Sequence, residues 1–155
     1  MRRPIKRKHF PQLDAKYSSV LVGRLINQIM LDGKKSVAQT AVYSALEQAE
    51  KKIGKPALEV LDKAIENAGP QVELRSKRVG GANYQVPREV TNDRKVTLAL
   101  RWIVQATRKR KGAPIRTKLA EEIINAVNNE GTAVKKKQDI HRMEEANKAF
   151  AHFAR

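Results

Sequence analysis

Six runs of apolar residues recur at three- and four-residue spacing along this chain, with glycine or proline punctuating most of their ends. This spacing constrains the fold more than any other feature, because it places apolar side chains along one face of a helix. Leu21, Val22, Leu25, Ile26 and Ile29 form the first stripe, with Gly33 placed to cap it. Ala38, Ala41, Val42, Ala45, Leu46, Ala49 and Ile53 form the second, stopped by Gly54. Pro56 opens a third in its first turn, with Leu58, Leu61, Ile65 and Ala68 facing inward and Gly69-Pro70 closing it. Asn92 or Asp93 can cap a fourth helix carrying Val96, Ala99, Leu100, Ile103 and Thr107. After Gly112 and Pro114, a fifth uses Leu119, Ala120, Ile123, Ile124 and Val127, ended by Gly131. The last runs from about Thr132, with Ile140, Met143, Asn147 and Phe150 at helical spacing.

One stretch breaks this rhythm. "RSKRVGGANYQVPREV", Arg75 to Val90, reads as a β-hairpin with a glycine-containing loop. If Gly81-Ala82 form the turn, Val79 pairs with Tyr84, Lys77 with Val86 and Arg75 with Arg88 on one side. Ser76, Arg78, Gln85 and Pro87 take the other, and neither face suits a core. Strands of this length give an arm on the order of 27 Å. The expected fold is therefore mainly α: a six-helix, bundle-like domain over 18–155 with a protruding hairpin at about 72–90. Residues 1–17, with few apolar side chains, are expected as a basic extended arm that orders on a partner.

Charge points to the partner. The chain has 155 residues, with 32 Lys+Arg against 16 Asp+Glu and a formal net charge of +16. Such an excess calls for a polyanion, nucleic acid before a membrane surface. Between Val96 and Ala120 no acid occurs, whereas Arg101, Arg108, Lys109, Arg110, Lys111, Arg116 and Lys118 do. Lys34-Lys35 and Lys135-Lys136-Lys137 lie at helix starts, where the dipole disfavours cations and an external anion would favour them. Acids gather elsewhere, at Glu47, Glu50, Glu59, Asp62 and Glu66 and at Glu144-Glu145, so a polarised surface is expected.

Enzyme chemistry finds no footing. There is no cysteine, so neither disulfides nor thiolate sites arise, which fits a reducing compartment. His9, His141 and His152 lack ligand spacing, and His141 with Glu145 reads as a helix-surface pair. Gly80-Gly81 lacks the strand-to-helix context of a nucleotide loop. Trp102 and Tyr43 read as packing residues, while Tyr17 and Tyr84, beside basic segments, are better placed to stack on bases. No run approaches the roughly 18 apolar residues of a membrane span, and "MRRPIKRKHF" lacks the apolar part of a signal peptide. An intracellular, soluble chain without metal or cofactor is expected.

Four segments, "LINQIMLDGKKSVAQTAVYSA", "AIENAGPQVELRSKRVGGANYQVPREV", "LALRWIVQATRKR" and "NEGTAVKKKQDIHRMEEANKAFAHF", resemble small-subunit ribosomal protein seven of the bacterial or organellar type. The likeness covers essentially the whole chain; Arg88 after Pro87 departs from it mildly, adding charge to the arm. The resemblance implies a protein that binds the 3′ major domain of small-subunit ribosomal RNA and nucleates assembly of the subunit head. It also implies a place at the subunit interface near exit-site transfer RNA and the messenger path, beside ribosomal proteins nine and eleven. The implied location is the cytoplasmic ribosome, or the stroma or matrix for an organellar member. Carried onto this sequence, the RNA-facing candidates are Arg2, Arg3, Lys6, Arg7, Lys8, Lys34, Lys35, Arg75, Lys77, Arg78, Arg94, Lys95 and the run Arg108, Lys109, Arg110, Lys111. Arg116 and Lys118 join them from the acid-free stretch. Gly80, Gly81, Ala82, Asn83 and Tyr84 form the tip expected near exit-site transfer RNA. Lys148, Phe150, His152, Phe153 and Arg155 are the candidates for protein contact. An architectural DNA-binding protein would more often carry an apolar wedge at the arm's tip, where "GGAN" stands here. A helix-turn-helix repressor would leave arm and tail unexplained.

Overall fold

The computed structural model describes residues 13–154. Among them, three helices, α1 (Val20–Ile29), α2 (Lys35–Ile53) and α3 (Ala57–Ala68), precede a two-stranded antiparallel hairpin. The hairpin's strands are β1 (Val72–Val79) and β2 (Ala82–Glu89). Three more helices follow: α4 (Asn92–Lys109), α5 (Ile115–Val127) and α6 (Gly131–Ala146), with a 3₁₀ segment at Lys148–Ala154. The fold is mainly helical with one β-hairpin arm, as the periodicity indicates.

The core is organised around α5, which packs against α2, α3, α4 and α6. Leu119, Ala120, Ile123 and Ala126 form its buried stripe. Around it lie Leu46 of α2, Leu61 of α3 and Leu100 and Ile103 of α4, all fully enclosed. Burying each such Leu or Ile contributes roughly 1.5–3 kcal/mol. On α2 the buried stripe alternates Val42 and Leu46 with Ala38, Ala45 and Ala49, small side chains that admit close neighbours. Leu58 leaves the expected stripe of α3 and is partly exposed, because Ala57, Val60, Leu61 and Ala64 already fill the inward arc.

Several helix ends differ from the sequence reading. Helix α1 stops at Ile29, and Gly33 instead serves the turn into α2, where Asp32 and Gly33 both have positive φ. Gly54 does cap α2 in the left-handed conformation. Pro56 and Thr91 occupy the N-cap positions of α3 and α4, so Asn92 and Asp93 lie inside the helix. Asp93 pairs with Arg24 of α1 at 2.6 Å. Gly131 begins α6 rather than ending α5. The end of α5 is held by Asn67 Nδ2, which donates to the Ala126 and Val127 carbonyls at 3.0 and 2.9 Å. Helix α6 stops at Ala146, leaving Phe150 on the 3₁₀ segment and Met143 exposed. His141 pairs with Glu144 at 3.4 Å, not with Glu145.

The hairpin register also differs. Val79 pairs with Ala82, Lys77 with Tyr84 and Arg75 with Val86. Gly80 and Gly81 form the turn, at φ +56° and +92°. A two-residue turn with positive φ at both positions favours two glycines, whereas the expected Gly81-Ala82 turn would strain alanine. The base of the arm is not bare: Val72, Val86 and Pro87 are buried, and α6 and the 3₁₀ segment pack against it.

Residues 13–17 are fastened to α2. Tyr43 Oη donates to Asp14 Oδ1 at 2.7 Å, while the Lys16 and Tyr17 amides donate to Oδ2 at 3.1 Å each. The Lys16 ammonium forms an ion pair with Glu47. Burial pushes the Asp14 carboxyl up, but the hydrogen bonds from Tyr43 and from the following amides outweigh it and hold its pKa below the usual range. A depressed carboxylate pKa stabilises the fold above the unfolded value, about 3.9, and that stabilisation is lost as pH falls through the folded value. Asp14→Asn is thus expected to cost about 1 kcal/mol at pH 7, with the gap to wild type closing below about pH 4. Thermal unfolding across that range checks it; a gap independent of pH would show that the charge of Asp14 contributes nothing.

Candidate nucleic-acid interface

Basic side chains fall into two populations, those held by the protein's own acceptors and those left facing solvent. At the base of the arm, Glu73 gathers two arginines. Arg75 lies 2.6 Å and Arg94 3.0 Å from its carboxylate oxygens, joining β1 to the first turn of α4. Burial raises the Glu73 pKa, yet the two guanidinium hydrogen bonds win and leave it lowered. Beside them Lys95 lays its aliphatic chain over Gly69, where an added Cβ would stand 2.7 Å from Lys95 Cγ. The same Cβ would stand 2.9 Å from the Ile65 carbonyl oxygen, which cannot swing aside as the lysine can, so glycine is required there for contact, not for its backbone angle.

The run Arg108–Lys111 divides in alternation. Arg108 Nη2 donates to the Gln28 and Ile29 carbonyls at 3.2 Å each, satisfying the C-terminal end of α1. Arg110 Nη1 donates to Glu121 at 3.0 Å, and its Nη2 lies 3.6 Å from the fully buried Glu122. Lys118 Nζ donates back to the Arg110 carbonyl at 2.9 Å. Lys109 and Lys111 point outward, with no hydrogen bond or ion pair to another described residue. Because Arg108 holds the last turn of α1, this run stands at the same end of the molecule as Lys34-Lys35.

Lys34, Lys35, Arg78 and Arg116 are likewise exposed and unpaired among the described residues, and Lys77 is exposed on the arm. Gly80, Gly81, Ala82 and Asn83 are exposed at the tip. Arg2, Arg3, Lys6, Arg7, Lys8 and Arg155 lie outside the described residues, as do the side chains of His152 and Phe153. The lysines of α6 join this surface as well. Lys136 Nζ donates to Gln105 Oε1 of α4 at 3.0 Å, and Lys137 Nζ to the Asn67 carbonyl at 2.9 Å. Burial, with Lys95 nearby, lowers the Lys137 pKa. The sequence signal for this cluster is the lysine triplet itself, expected at a helix start; the structure places it in the second turn of α6.

The aromatic residues are mostly engaged. Tyr17 and Tyr43 meet edge to face at 5.9 Å, and Trp102 is buried in the core as a packing residue. Tyr84 rests against Phe150 at 4.9 Å between ring centroids, three pairs back from the turn. Among the described residues no group of three or more His, Asp or Glu could hold a metal. No helix there is long and apolar enough to cross a membrane.

Fold and surface together define a class: a basic, mainly helical protein with a β-hairpin arm and a set of exposed cations unpaired among the described residues. The family model for ribosomal protein S7p/S5e matches residues 1–148, and the chain belongs to that family. It is 60% identical over 140 residues to the small ribosomal subunit protein uS7 of Thermosipho melanesiensis, covering 90% of each chain. With the protein of that name from Thermotoga neapolitana it shares 54% over 152 residues, covering 98% of this chain and 97% of the relative. With that of Chloroflexus aggregans it shares 51% over 151 residues, covering 97% and 96%. The resemblance read from the sequence is therefore correct, and the homologues point to no enzyme family.

The split within Arg108–Lys111 has a measurable consequence. Arg108→Ala is expected to cost about 1 kcal/mol, since two α1 carbonyls lose a charged donor. Lys111→Ala should stay within about 0.5 kcal/mol of wild type. Urea unfolding of the two variants checks this; equal effects would contradict the division into anchored and free cations.

Proposed function

We propose that this chain is a structural protein of the small ribosomal subunit that binds the 3′ major domain of its RNA directly and nucleates assembly of the head. The observation that carries this reading is the set of cations without a protein partner. Lys34, Lys35, Arg78, Lys109, Lys111 and Arg116 remain exposed with no hydrogen bond or ion pair to another described residue, in a chain with twice as many bases as acids. A formal charge of +16 on 155 residues is repulsive in the free protein, and phosphates relieve it. Family membership and the names of the relatives give the same direction. Arg2 to Lys8 extend the surface, and the arm carries Lys77 and Arg78 toward exit-site transfer RNA and the messenger path. The C-terminal residues from Lys148 to Arg155, where the 3₁₀ segment leaves the arm's base, are the surface for neighbouring ribosomal proteins nine and eleven. No residue is assigned a catalytic role.

The decisive experiment is co-sedimentation with salt-washed small subunits together with a titration of the 3′ major domain RNA at several salt concentrations. Log K should fall linearly and steeply with log salt. A slope near zero would overturn the phosphate-binding surface.

A second prediction separates the arm from the body. Replacing Arg78–Asn83 by Asn-Gly joins Lys77 to Tyr84, a pair of the same parity as the native closing pair Val79–Ala82. The Tyr84–Phe150 contact is kept. Thermal stability should be nearly unchanged and incorporation into subunits preserved, while exit-site transfer RNA retention or reading-frame fidelity falls in reconstituted ribosomes. Unfolding of the shortened protein would make the tip structural; unchanged occupancy and fidelity would remove its proposed role.

A further inference from the structure

Helices α4 and α6 pack side by side, and between them lies an open groove of about 350 Å³. Its wall includes Trp102, Gln105 and Lys109 of α4 and Lys135, Lys136 and Asp139 of α6. Trp102 is only 5% exposed and gives this wall an apolar floor. The Lys136 ammonium stands 5.7 Å from the Trp102 ring centroid while donating to Gln105. Lys109 and Lys135 have no hydrogen bond or ion pair to another described residue. Asp139 is the single acid of the wall and pairs with none of the three lysines.

The helix dipole favours Lys109, in the last turn of α4, but does nothing for the lysines of α6. Lys135 and Lys136 stand in the second turn of α6, and the first turn holds no acid. Three ammonium groups around one groove repel one another, and the partners of Lys136 are a neutral amide and a ring face. Arg101, exposed one turn before Gln105, continues the basic line along α4. A line of cations along a helix suits a strand more than a single free ion.

We propose that this groove seats a phosphodiester of the RNA backbone, held by Lys109, Lys135 and Lys136 beside Trp102. The inference rests on the RNA-binding reading above and adds to it a contact on α6. When the phosphate enters, Lys136 turns from the indole face toward it, so the surroundings of Trp102 change on binding.

Trp102 is the only tryptophan of the chain, so tryptophan fluorescence reports on one position, beside this groove. The full-length protein is titrated with 3′ major domain RNA, with inorganic phosphate as a parallel arm. The expected result is a spectral change that tracks RNA saturation and is absent with phosphate at matched ionic strength. The double variant Lys135→Ala, Lys136→Ala should lower the slope of log K against log salt by roughly 1–2 units. Lys136→Arg should keep the wild-type slope. Melting temperature controls for folding, and the exposure of both lysines makes loss of fold unexpected. An unchanged Trp102 spectrum at saturation, or an unchanged slope in the double variant, overturns the groove while leaving salt-dependent RNA binding intact. A spectral change reproduced by inorganic phosphate assigns the groove to a free anion instead and equally overturns the proposal. Wild-type protein that shows no salt-dependent binding overturns this inference and the broader reading together.

Discussion

Glu122 is the interaction on which the assembly of the helices turns. Its side chain is wholly buried, in a chain with few acids to place there. Oε1 accepts the Ala133 amide at 3.0 Å and so caps α6 from the middle of α5. Oε2 faces the Arg110 guanidinium at 3.6 Å, an ion pair rather than a hydrogen bond. A buried carboxylate is costly without such partners. Here the amide of a helix N-terminus and an arginine from the preceding loop supply them, so one side chain fixes α5, α6 and the α4–α5 connection together. This also explains why residue 131 is glycine. Its φ is +93°, and an added Cβ would lie 3.0 Å from Glu122 Oε1 and 3.1 Å from Asn125 Cβ.

The same economy of acids recurs at other joints. Asp14 ties the segment before α1 to α2, Asp93 ties α4 to α1, and Glu73 ties the arm to α4. Glu121 shares Arg110 with Glu122. With twice as many bases as acids, a fold that placed its carboxylates evenly would leave its joints under repulsion. Five carboxylates stand at such joints, each against an arginine or a backbone amide, while no acid occurs between Val96 and Ala120, the stretch that holds Lys109, Lys111 and Arg116. Within Arg108–Lys111 the members that hold the scaffold, Arg108 and Arg110, are distinct from those left exposed, Lys109 and Lys111.

The helices were legible because burial follows periodicity, and for Leu119, Ile123, Leu100 and Ile103 one period determines one face. Their ends were less so. Gly33 and Gly131 look like helix stops, but glycine marks positive φ, which a turn before a helix needs as much as a cap after one. The hairpin register failed for a related reason: "GGA" admits two turns, and only the cost of positive φ at alanine separates them. The division of Arg108–Lys111 was invisible in sequence, since an arginine bound to a carbonyl eighty residues away reads like one facing water. The polar look of the arm concealed its buried base for the opposite reason. Val72, Val86 and Pro87 are isolated apolar positions, and what covers them comes from the far end of the chain.

That cover sets how the arm meets its surroundings. Around the turn Arg78 and Gly80 to Asn83 are exposed, whereas nearer its base the arm packs on α6 through β1 and on the C-terminal 3₁₀ segment through β2. The Tyr84–Phe150 ring contact marks the boundary between these two parts. An isolated two-stranded hairpin is marginally stable in water, so the direction of the arm depends on the supported half. Glu73 with Arg75 and Arg94 fixes one edge of that half, and Phe150 fixes the other. The tip can then present Lys77 and Arg78 without losing its aim. In this arrangement the C-terminal segment that is proposed to meet neighbouring proteins is also the support of the arm, so a protein bound at that segment would bear directly on where the tip points.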